Sequence, residues 1–301
     1  MGARRSLDAQ FLAAQFANYR FRIFTSICDA LGALPRPFRA PRSWLVMAGE
    51  FSGQAVIITG ATKGIGRAMA AAFSAAGANI VATGRTKDAL ASICQEIEQD
   101  GGKAVSVVAD LAAEDSAALI VTQALDAFGQ IDVLVNNAAI IHDSQTLVEF
   151  DAELWQHVLQ VNLVAPALLM KAALPHMIVR GYGKVVNISS IGGTRGGKGR
   201  SAYRAAKAGL INLTESVAAE VKEHGIDVNC ICPGATDTEG FRHAFDHKGR
   251  QQDANLMESR EIAELTLFLA SSRASAITGT AINAFGATNP IFQSDSKKGK
   301  I

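Results

Sequence analysis

The sequence has little proline, few cysteines and no uninterrupted apolar run long enough to cross a membrane. It contains 7 prolines and 4 cysteines in 301 residues. The cysteines lack the CxxC or clustered spacing that indicates a metal site or a disulfide framework; they are Cys28, Cys94, Cys230 and Cys232. The apolar stretch from Phe11 to Leu34 is interrupted by Arg20 and Arg22, whereas a spanning helix needs about 20 apolar residues, and no secretory signal is evident. We therefore expect reduced thiols, a cytoplasmic location and no transmembrane span.

Most of the chain has no excess of positive charge, so it lacks the basic surface that is typical of nucleic-acid-binding proteins. The whole sequence has a net charge of +1, but the first 46 residues hold seven arginines and only two acids, Asp8 and Asp29. Such an arginine-rich start is compatible with a transit peptide or a surface helix. We favour a poorly ordered extension, or a stretch preceding a start at Met47, because termini are often disordered. The sequence thus predicts a basic extension over residues 1–46 and one catalytic domain over residues 47–301.

Short apolar runs alternate with longer helix-like segments from Gln54 onward, which indicates βαβ units and a parallel sheet with both faces covered. We predict an α/β fold, a Rossmann-like doubly wound sheet of seven parallel strands in a three-layer sandwich. The strands are expected at 54–59, 79–83, 104–108, 133–136, 184–188, 227–231 and 280–284. Helical composition or period is found at 64–76, 87–100, 153–179, 202–223 and 260–271.

A glycine-rich loop follows the first predicted strand directly. The segment TGATKGIGRAMA places Gly60, Gly64 and Gly66 between that strand and a helix. Glycines allow a tight turn and a close approach to a pyrophosphate, and the helix N-terminus supplies unpaired amides. The loop therefore predicts a dinucleotide site.

The residues after the second predicted strand indicate which dinucleotide binds. A carboxylate there usually accepts hydrogen bonds from the ribose of NAD, but this chain has Gly84 followed by Arg85. A guanidinium pairs well with a 2′-phosphate, and Lys63 in the glycine loop adds a second cation. We predict NADP(H) as the cofactor.

Tyr203 and Lys207 lie four residues apart in SAYRAAKAG, with Ser190 thirteen residues before the tyrosine. Positions i and i+4 share one face of a helix, so the ammonium could lie beside the phenol and favour its ionised form. This arrangement suits a proton donor. Taken alone, the same spacing is also common in solvated pairs on helix surfaces.

Several motifs in a fixed order resolve that ambiguity. They are TGATKGIG at 59–66, ADL at 109–111, NNAA at 136–139, Asn162 in QVNLVAP, NISS at 187–190, YRAAK at 203–207 and PGATDT at 233–238. With them the chain resembles the classical short-chain dehydrogenase/reductase family from about Phe51 to Thr288, which is nearly all of the predicted domain. The resemblance implies a catalytic tetrad of Asn162, Ser190, Tyr203 and Lys207.

The resemblance also implies the remaining contacts. Asp110 would contact the adenine, Asn137 would support the central strand, and the segment from Pro233 to Thr238 would hold the nicotinamide end. The full expected cofactor-binding set is Thr59, Gly60, Thr62, Lys63, Gly64, Ile65, Gly66, Arg85, Asp110, Leu111, Asn137, Ala138, Tyr203, Lys207, Pro233, Gly234, Thr236 and Thr238. Asn162 would hold a water that links Lys207 to solvent, no metal is expected, and the long helices imply a homotetramer or homodimer.

Two departures from the family pattern and one local alternative remain open. Ala139 ends NNAA where the family usually has glycine, and Phe285 to Ala287 replace a usual aspartate and two glycines. Ser189 competes with Ser190 for the catalytic role, although alternation along a strand end points neighbouring side chains in opposite directions.

The substrate is the least determined part of the prediction. The polar segment from Thr236 to Arg260 is expected to form a mobile lid, and its His243 and His247 have no third residue at metal-ligand spacing. Basic residues in the loop before Tyr203 could meet an anionic substrate or carrier phosphate, or could form a solvated rim; they are Arg195, Lys198 and Arg200.

We expect an NADPH-dependent oxidoreductase that reduces a small-molecule ketone or 3-oxoacyl-type carbonyl, with Tyr203 as proton donor. The alternative is an NAD(P)-dependent alcohol or dihydrodiol dehydrogenase working in the oxidative direction. A non-catalytic NADP(H)-binding sensor is disfavoured, because a sensor needs no proton-transfer groups.

Overall fold

A computed structural model describes residues 49–245 and 256–286 of the chain. The seven predicted strands form one parallel sheet in the order β3-β2-β1-β4-β5-β6-β9. Their bounds are β1 Ala55–Thr59, β2 Asn79–Gly84, β3 Lys103–Val108, β4 Val133–Asn136, β5 Gly183–Ile188, β6 Ile226–Pro233 and β9 Ala281–Ala284. Two short strands, β7 Thr236–Asp237 and β8 Met257–Glu258, pair with each other outside this sheet. The predicted fold class is confirmed.

Helices cover both faces of the sheet. They are α1 Gly64–Ala75, α2 Lys87–Gln99, α3 Ser116–Phe128, α4 Ala152–Leu159, α5 Ala165–Arg180, α6 Ile191–Thr194, α7 Ser201–Val221, α8 Glu239–Phe245 and α9 Ser259–Ala270. Buried side chains of α1, α2 and α9 form a core on one face, and those of α3, α5 and α7 form a core on the other. Since strands buried on both faces carry apolar side chains throughout, the sequence reads as continuous apolar runs in β1 and β4.

Helices α3, α6 and α8 are absent from the predicted helical segments, and one predicted helix is interrupted. Helix α3 was not predicted; it ends at Gly129, which has a left-handed φ of 71°. The segment predicted as one helix over 153–179 is interrupted by a π-helical turn, Gln160–Val164, between α4 and α5. Such turns are often found at functional sites, and this one contains Asn162.

One helical stretch among the described residues, Ala152–Arg180, is long and apolar enough to cross a membrane by length and composition alone. Its residues Leu169, Met170 and Ala173 are buried in the core against the sheet. Packing inside the domain accounts for this apolar character.

The strand order reverses between β1 and β4, so the chain leaves these neighbouring strands in opposite directions. Ligands of doubly wound sheets bind at such switch points, beyond the carboxyl ends of the strands. The predicted motifs follow the ends of β1, β2, β4, β5 and β6, and they converge there. The predicted extension over residues 1–46 and His247 of the lid lie outside the described residues.

Candidate active site

A cavity of about 1100 Å³ lies at the carboxyl ends of the strands. It is lined by most of the predicted site residues, namely Gly60, Thr62, Lys63, Gly64, Ile65, Gly66, Arg85, Asp110, Leu111, Asn137, Ala138, Ser190, Tyr203, Lys207, Pro233, Gly234, Thr236 and Thr238. Thr59 and Asn162 do not line it; both are buried just behind it. The structure therefore brings the residues of the glycine loop and the predicted catalytic residues Ser190, Tyr203 and Lys207 into one cleft.

The glycine loop has the backbone geometry expected of a phosphate cradle. Gly60 and Gly64 have left-handed φ values of 66° and 53°, which side-chain-bearing residues rarely adopt. A Cβ on Gly66 would lie 2.1 Å from the carbonyl oxygen of Gly60. The loop therefore packs tightly against the first turn of α1.

Thr59 and Asn137 join the ends of β1 and β4 at the switch point. The hydroxyl of Thr59 accepts hydrogen bonds from the backbone N–H groups of Asn137 at 2.9 Å and Ala138 at 3.0 Å. The Asn137 side-chain amide donates to the Thr59 carbonyl at 2.9 Å and the Gly60 carbonyl at 3.3 Å. These bonds fix the position of the glycine loop relative to the central strands.

The glycine loop and the end of β2 contribute two cations to the cavity, and two acids line the same cavity. Arg85 is exposed and lines the cavity beside Thr62 and Asp110. The ammonium of Lys63 lies 3.9 Å from a carboxylate oxygen of Glu239, and both side chains are largely exposed. Exposed ion pairs of this kind are weak, so Lys63 can exchange Glu239 for a phosphate at little cost.

Ser190 and Ser189 have different partners. Ser189 is buried, and its hydroxyl donates to the backbone carbonyl of Lys207 at 2.8 Å. Ser190 accepts a hydrogen bond from the Gly192 N–H at 3.0 Å, and its side chain is hydrogen-bonded to that of Tyr203. Ser190 is thus the serine that shares a polar environment with the tyrosine.

Lys207 lies on α7 with its side chain enclosed, only 2% exposed. Its ammonium donates to the carbonyl of Ile188 at 2.7 Å and lies 5.9 Å from the centre of the Tyr203 ring. Burial lowers the pKa of Lys207 to about 8, although the neighbouring thiols of Cys230 and Cys232 oppose this shift.

The electrostatic environment of Tyr203 involves two residues that the tyrosine–lysine spacing did not indicate. Burial raises the pKa of Tyr203, while the hydrogen bond from Ser190 and the positive charges of Arg200 and Arg204 lower it. The predicted effect of Lys207 on the phenol stays a prediction. Arg204 was missed from the sequence, although it directly follows the tyrosine in YRAAK.

Asn162 fixes the π-helical turn to the strand end. Its side-chain oxygen accepts from the Ile140 N–H at 2.8 Å, and its amide donates to the Ile140 carbonyl at 2.9 Å. The side chain therefore holds the segment that follows β4, and the predicted water site at Asn162 stays a prediction.

Comparisons with known proteins agree with this geometry. A family model described as short chain dehydrogenase matches residues 54–249. The chain belongs to the short-chain dehydrogenase/reductase family. It is 34% identical over 242 residues to the 3-oxoacyl-[acyl-carrier-protein] reductase of Escherichia coli (strain K12), covering 79% of this chain and 98% of that protein. As a member of the family, the protein is an NAD(P)-dependent oxidoreductase that acts on CH–OH and C=O groups.

Two further relatives show the range of carbonyl and alcohol compounds in the family. The chain is 36% identical over 247 residues to the cis-4-hydroxycyclohexanecarboxylate dehydrogenase of Sinomonas cyclohexanicum, covering 80% of this chain and 98% of that protein. The crystal structure of levodione reductase superposes with a TM-score of 0.75 at 30% identity, covering 79% of this chain and 98% of that one.

The departures from the usual short-chain dehydrogenase/reductase motifs have simple local consequences. Among the described residues every positive φ belongs to a glycine, so Ala139 adopts a backbone that does not require glycine. Gly286 has a φ of 51°, and a Cβ there would lie 2.8 Å from Met257. Ala287 lies outside the described residues.

Proposed function

We propose that the protein is an NADPH-dependent carbonyl reductase in which Tyr203 donates the proton to the carbonyl oxygen. The observation that carries this proposal is the convergence of Tyr203, Ser190 and Lys207 with the glycine loop in one cleft. A proton donor and a hydrogen-bonded serine next to a dinucleotide cradle are what carbonyl reduction requires.

The glycine loop fits a dinucleotide because Gly60 and Gly64 have left-handed φ values and line the cavity at the start of α1, where backbone N–H groups of a helix N-terminus can face a diphosphate. The loop from Gly60 to Gly66 would hold the diphosphate, and Asp110 would face the adenosine. Pro233 to Thr238 would border the nicotinamide. When bound, the cofactor supplies the hydride that reduces the carbonyl carbon.

The preference for NADPH is supported by Arg85 and Lys63 at the ribose end of the cavity. Arginine pairs with phosphate through two parallel hydrogen bonds. Asp110 also lines this end, but it follows β3 rather than β2, so no acid occupies the usual ribose-binding position after β2. The ribose 2′-phosphate would therefore meet two cations.

The protein's own residues perform the proton-transfer half of the reaction. Ser190 donates a hydrogen bond to the carbonyl oxygen and holds it near the Tyr203 hydroxyl. Tyr203 is protonated at neutral pH, since a phenol titrates near ~10 and burial raises the pKa of Tyr203 further, so it can act as a general acid for reduction. The Lys207 ammonium donates to the Ile188 carbonyl, and we propose that it also reaches the nicotinamide ribose.

Oxidation of an alcohol is the second candidate, and one observation favours it. The relative from Sinomonas cyclohexanicum is named as the dehydrogenase of a hydroxylated ring carboxylate. The same residues serve both directions, since the acid of reduction is the base of oxidation. We further propose a cytoplasmic homodimer or homotetramer.

The first experiment is a fluorescence titration of the full chain with NADPH and NADH, followed by ketones and 3-oxoacyl thioesters with the tighter cofactor. We expect NADPH to bind about 10-fold or more tightly than NADH, as suits a charge-assisted phosphate contact. Arg85→Gln should remove most of this difference, whereas Lys87→Gln, a nearby exposed cation that does not line the cavity, should leave it unchanged. Equal affinities in the wild type would contradict the cofactor assignment.

Tyr203→Phe tests the proton donor. The variant keeps the ring and loses the hydroxyl, so cofactor affinity should stay the same and turnover should fall by about 100-fold or more. Turnover within tenfold of the wild type would show that another group supplies the proton.

A further inference from the structure

Apolar side chains from three segments line the cavity that holds Ser190 and Tyr203. Ile141 follows β4, Ile191 directly follows Ser190, and Phe241 lies on α8. All three are partly exposed, so a ligand in the cavity can cover them. Because the burial of apolar surface is favourable, these side chains suit a substrate with an apolar body.

Helix α8 extends along the cleft from the glycine loop to the start of α7. A carboxylate oxygen of its first residue, Glu239, lies 3.9 Å from the ammonium of Lys63. Near its end, the Ala244 carbonyl accepts a hydrogen bond from Arg200 at 2.7 Å. Phe241 lies between these two contacts and lines the cavity. Helix α8 therefore contributes an apolar wall to the part of the cleft between the phosphate cradle and Tyr203.

The arginines that line this part of the cavity are bonded to the protein's own carbonyl groups. Arg204 donates to the Arg195 carbonyl at 2.9 Å and to the Gly196 carbonyl at 3.2 Å. Arg200 donates to the Ala244 carbonyl. These bonds join the loop that precedes α7 to α7 itself and to α8, so they give the guanidinium groups a structural role.

Gly192 lies next to the catalytic pair and has no side chain. It lines the cavity two residues after Ser190, and its N–H donates to the Ser190 hydroxyl at 3.0 Å. A Cβ on Gly192 would lie 3.4 Å from the Ser190 Oγ atom and 3.4 Å from the Cε1 atom of Tyr203. The space that Gly192 leaves open is therefore bordered by both catalytic side chains.

The backbone does not require glycine at position 192. Gly192 does not have a positive φ, and the atoms nearest to its added Cβ lie at 3.4 to 3.5 Å, which is close to an ordinary van der Waals separation. The neighbouring Gly193 differs, because a Cβ there would lie 2.7 Å from the Lys207 carbonyl oxygen. Packing accounts for Gly193, whereas the consequence of Gly192 is open space in the cavity.

We infer that Gly192 provides room for a bulky group on the reacting carbon, and that the substrate is an apolar ketone with a branched or ring carbon next to its carbonyl group. The inference rests on the proposed carbonyl reduction and names the substrate class. The carbonyl oxygen would lie between the Ser190 and Tyr203 hydroxyls, so the group beside it meets position 192. Ile141 and Ile191 would cover the rest of the apolar body.

The test uses pairs of isomeric ketones that differ only in where they are branched. Pinacolone is paired with its straight-chain isomer hexan-2-one, and 2-methylcyclohexanone is paired with 4-methylcyclohexanone. Because isomers contain the same atoms, the ratio of their kcat/KM values reports the shape next to the carbonyl. In the wild type we expect each ketone that is branched beside its carbonyl to have a kcat/KM at least about one third of that of its isomer, since an open pocket does not exclude an added methyl group.

Gly192→Ala should lower the ratio of kcat/KM for the branched ketone to that for its isomer by about 10-fold or more, because one methyl group in a hydrophobic pocket has an effect of this size. Gly192→Val should lower the ratio further. Gly196→Ala is the matched control, since a Cβ there meets nothing within 4 Å and the residue does not line the cavity; it should leave the ratio unchanged. The ratio is measured within one protein preparation, so partial misfolding of a variant does not alter it.

A fluorescence titration with NADPH distinguishes the ketone site from the cofactor site. We expect Gly192→Ala to bind NADPH as the wild type does, because the added methyl group would face the substrate. A loss of NADPH affinity that parallels the loss of turnover would place position 192 against the cofactor and would overturn the inference.

The remaining outcomes separate this inference from the proposed function. Turnover of straight-chain ketones or 3-oxoacyl thioesters, with the branched ketones below the expected ratio, would overturn the substrate class and leave carbonyl reduction standing. A ratio that neither Gly192→Ala nor Gly192→Val changes would overturn the role of Gly192. Absence of turnover on every ketone and thioester would overturn the proposed function, and the inference with it.

Discussion

Replacing Thr59 by valine tests how the switch point is held together. The Thr59 hydroxyl is 1% exposed and accepts hydrogen bonds from two backbone N–H groups, those of Asn137 and Ala138. Valine has nearly the same shape but no acceptor. Both N–H groups would then lose their partner at the point where β1, β4 and the glycine loop meet.

The expected loss of stability follows from those two bonds. An unsatisfied buried donor costs about 1–3 kcal/mol, and because both donors are only partly buried, we expect a decrease in the unfolding free energy of about 2–3 kcal/mol for Thr59→Val. Thr59→Ser keeps the hydroxyl and loses one methyl group, so it should cost about 1 kcal/mol. NADPH affinity should fall in Thr59→Val and change little in Thr59→Ser, because only valine releases the glycine loop.

The measurement is urea unfolding of both variants, followed by circular dichroism, with the slope m compared to confirm the same transition. A fluorescence titration gives the NADPH affinity. If Thr59→Val and Thr59→Ser had equal stability and equal NADPH affinity, the hydroxyl would not hold the switch point and the reasoning would be wrong.

Three further predictions follow from the site. Gly66→Ala places a methyl group 2.1 Å from the Gly60 carbonyl, so a titration should show NADPH affinity at least about 10-fold lower, whereas Gly196→Ala, where a Cβ meets nothing within 4 Å, should leave it unchanged. Because the pKa of Lys207 is about 8 in the folded protein, against the ordinary 10.5 of a lysine, the unfolded chain binds more protons between these pH values. The unfolding free energy of the wild type should therefore rise by about 2 kcal/mol relative to that of Lys207→Met between pH 8 and pH 10. If urea unfolding gave the same difference between the two proteins at both pH values, the lowered pKa of Lys207 would be contradicted. Asn162→Ala removes both side-chain bonds to Ile140 and should lower stability by about 1–3 kcal/mol together with kcat; unchanged thermal unfolding would exclude a structural role.

The fold was largely predictable because its strands are buried on both faces and its glycines follow a strand. Helix α3 was missed because its sequence, SAALIVTQALDAF, is apolar over most of its length, and its exposed polar face is marked by only three residues, Thr122, Gln123 and Asp126. Asp115 at its N-terminus makes no side-chain capping bond, so its start has no strong signal either. Gly129, with its left-handed φ, was the available signal for its end.

The interruption at Asn162 shows a second limit of sequence reasoning. The residues from 153 to 179 have continuous helical composition, and their intrinsic preferences alone give one helix. The π-helical turn depends on the bonds between Asn162 and Ile140, which join residues 22 positions apart. Periodicity within a segment contains no information about such a partner.

The surroundings of the charged residues near Tyr203 could not be predicted from the sequence for the same reason. From the sequence, the basic residues before the tyrosine were compatible with a solvated rim, and the exposure of Lys198 agrees with that interpretation. Arg200 differs because the Ala244 carbonyl of α8 and the start of α7 enclose it. Arg200 therefore lies near Tyr203 in an environment that the spacing of the basic residues does not indicate, because Ala244 is 44 positions further along the chain.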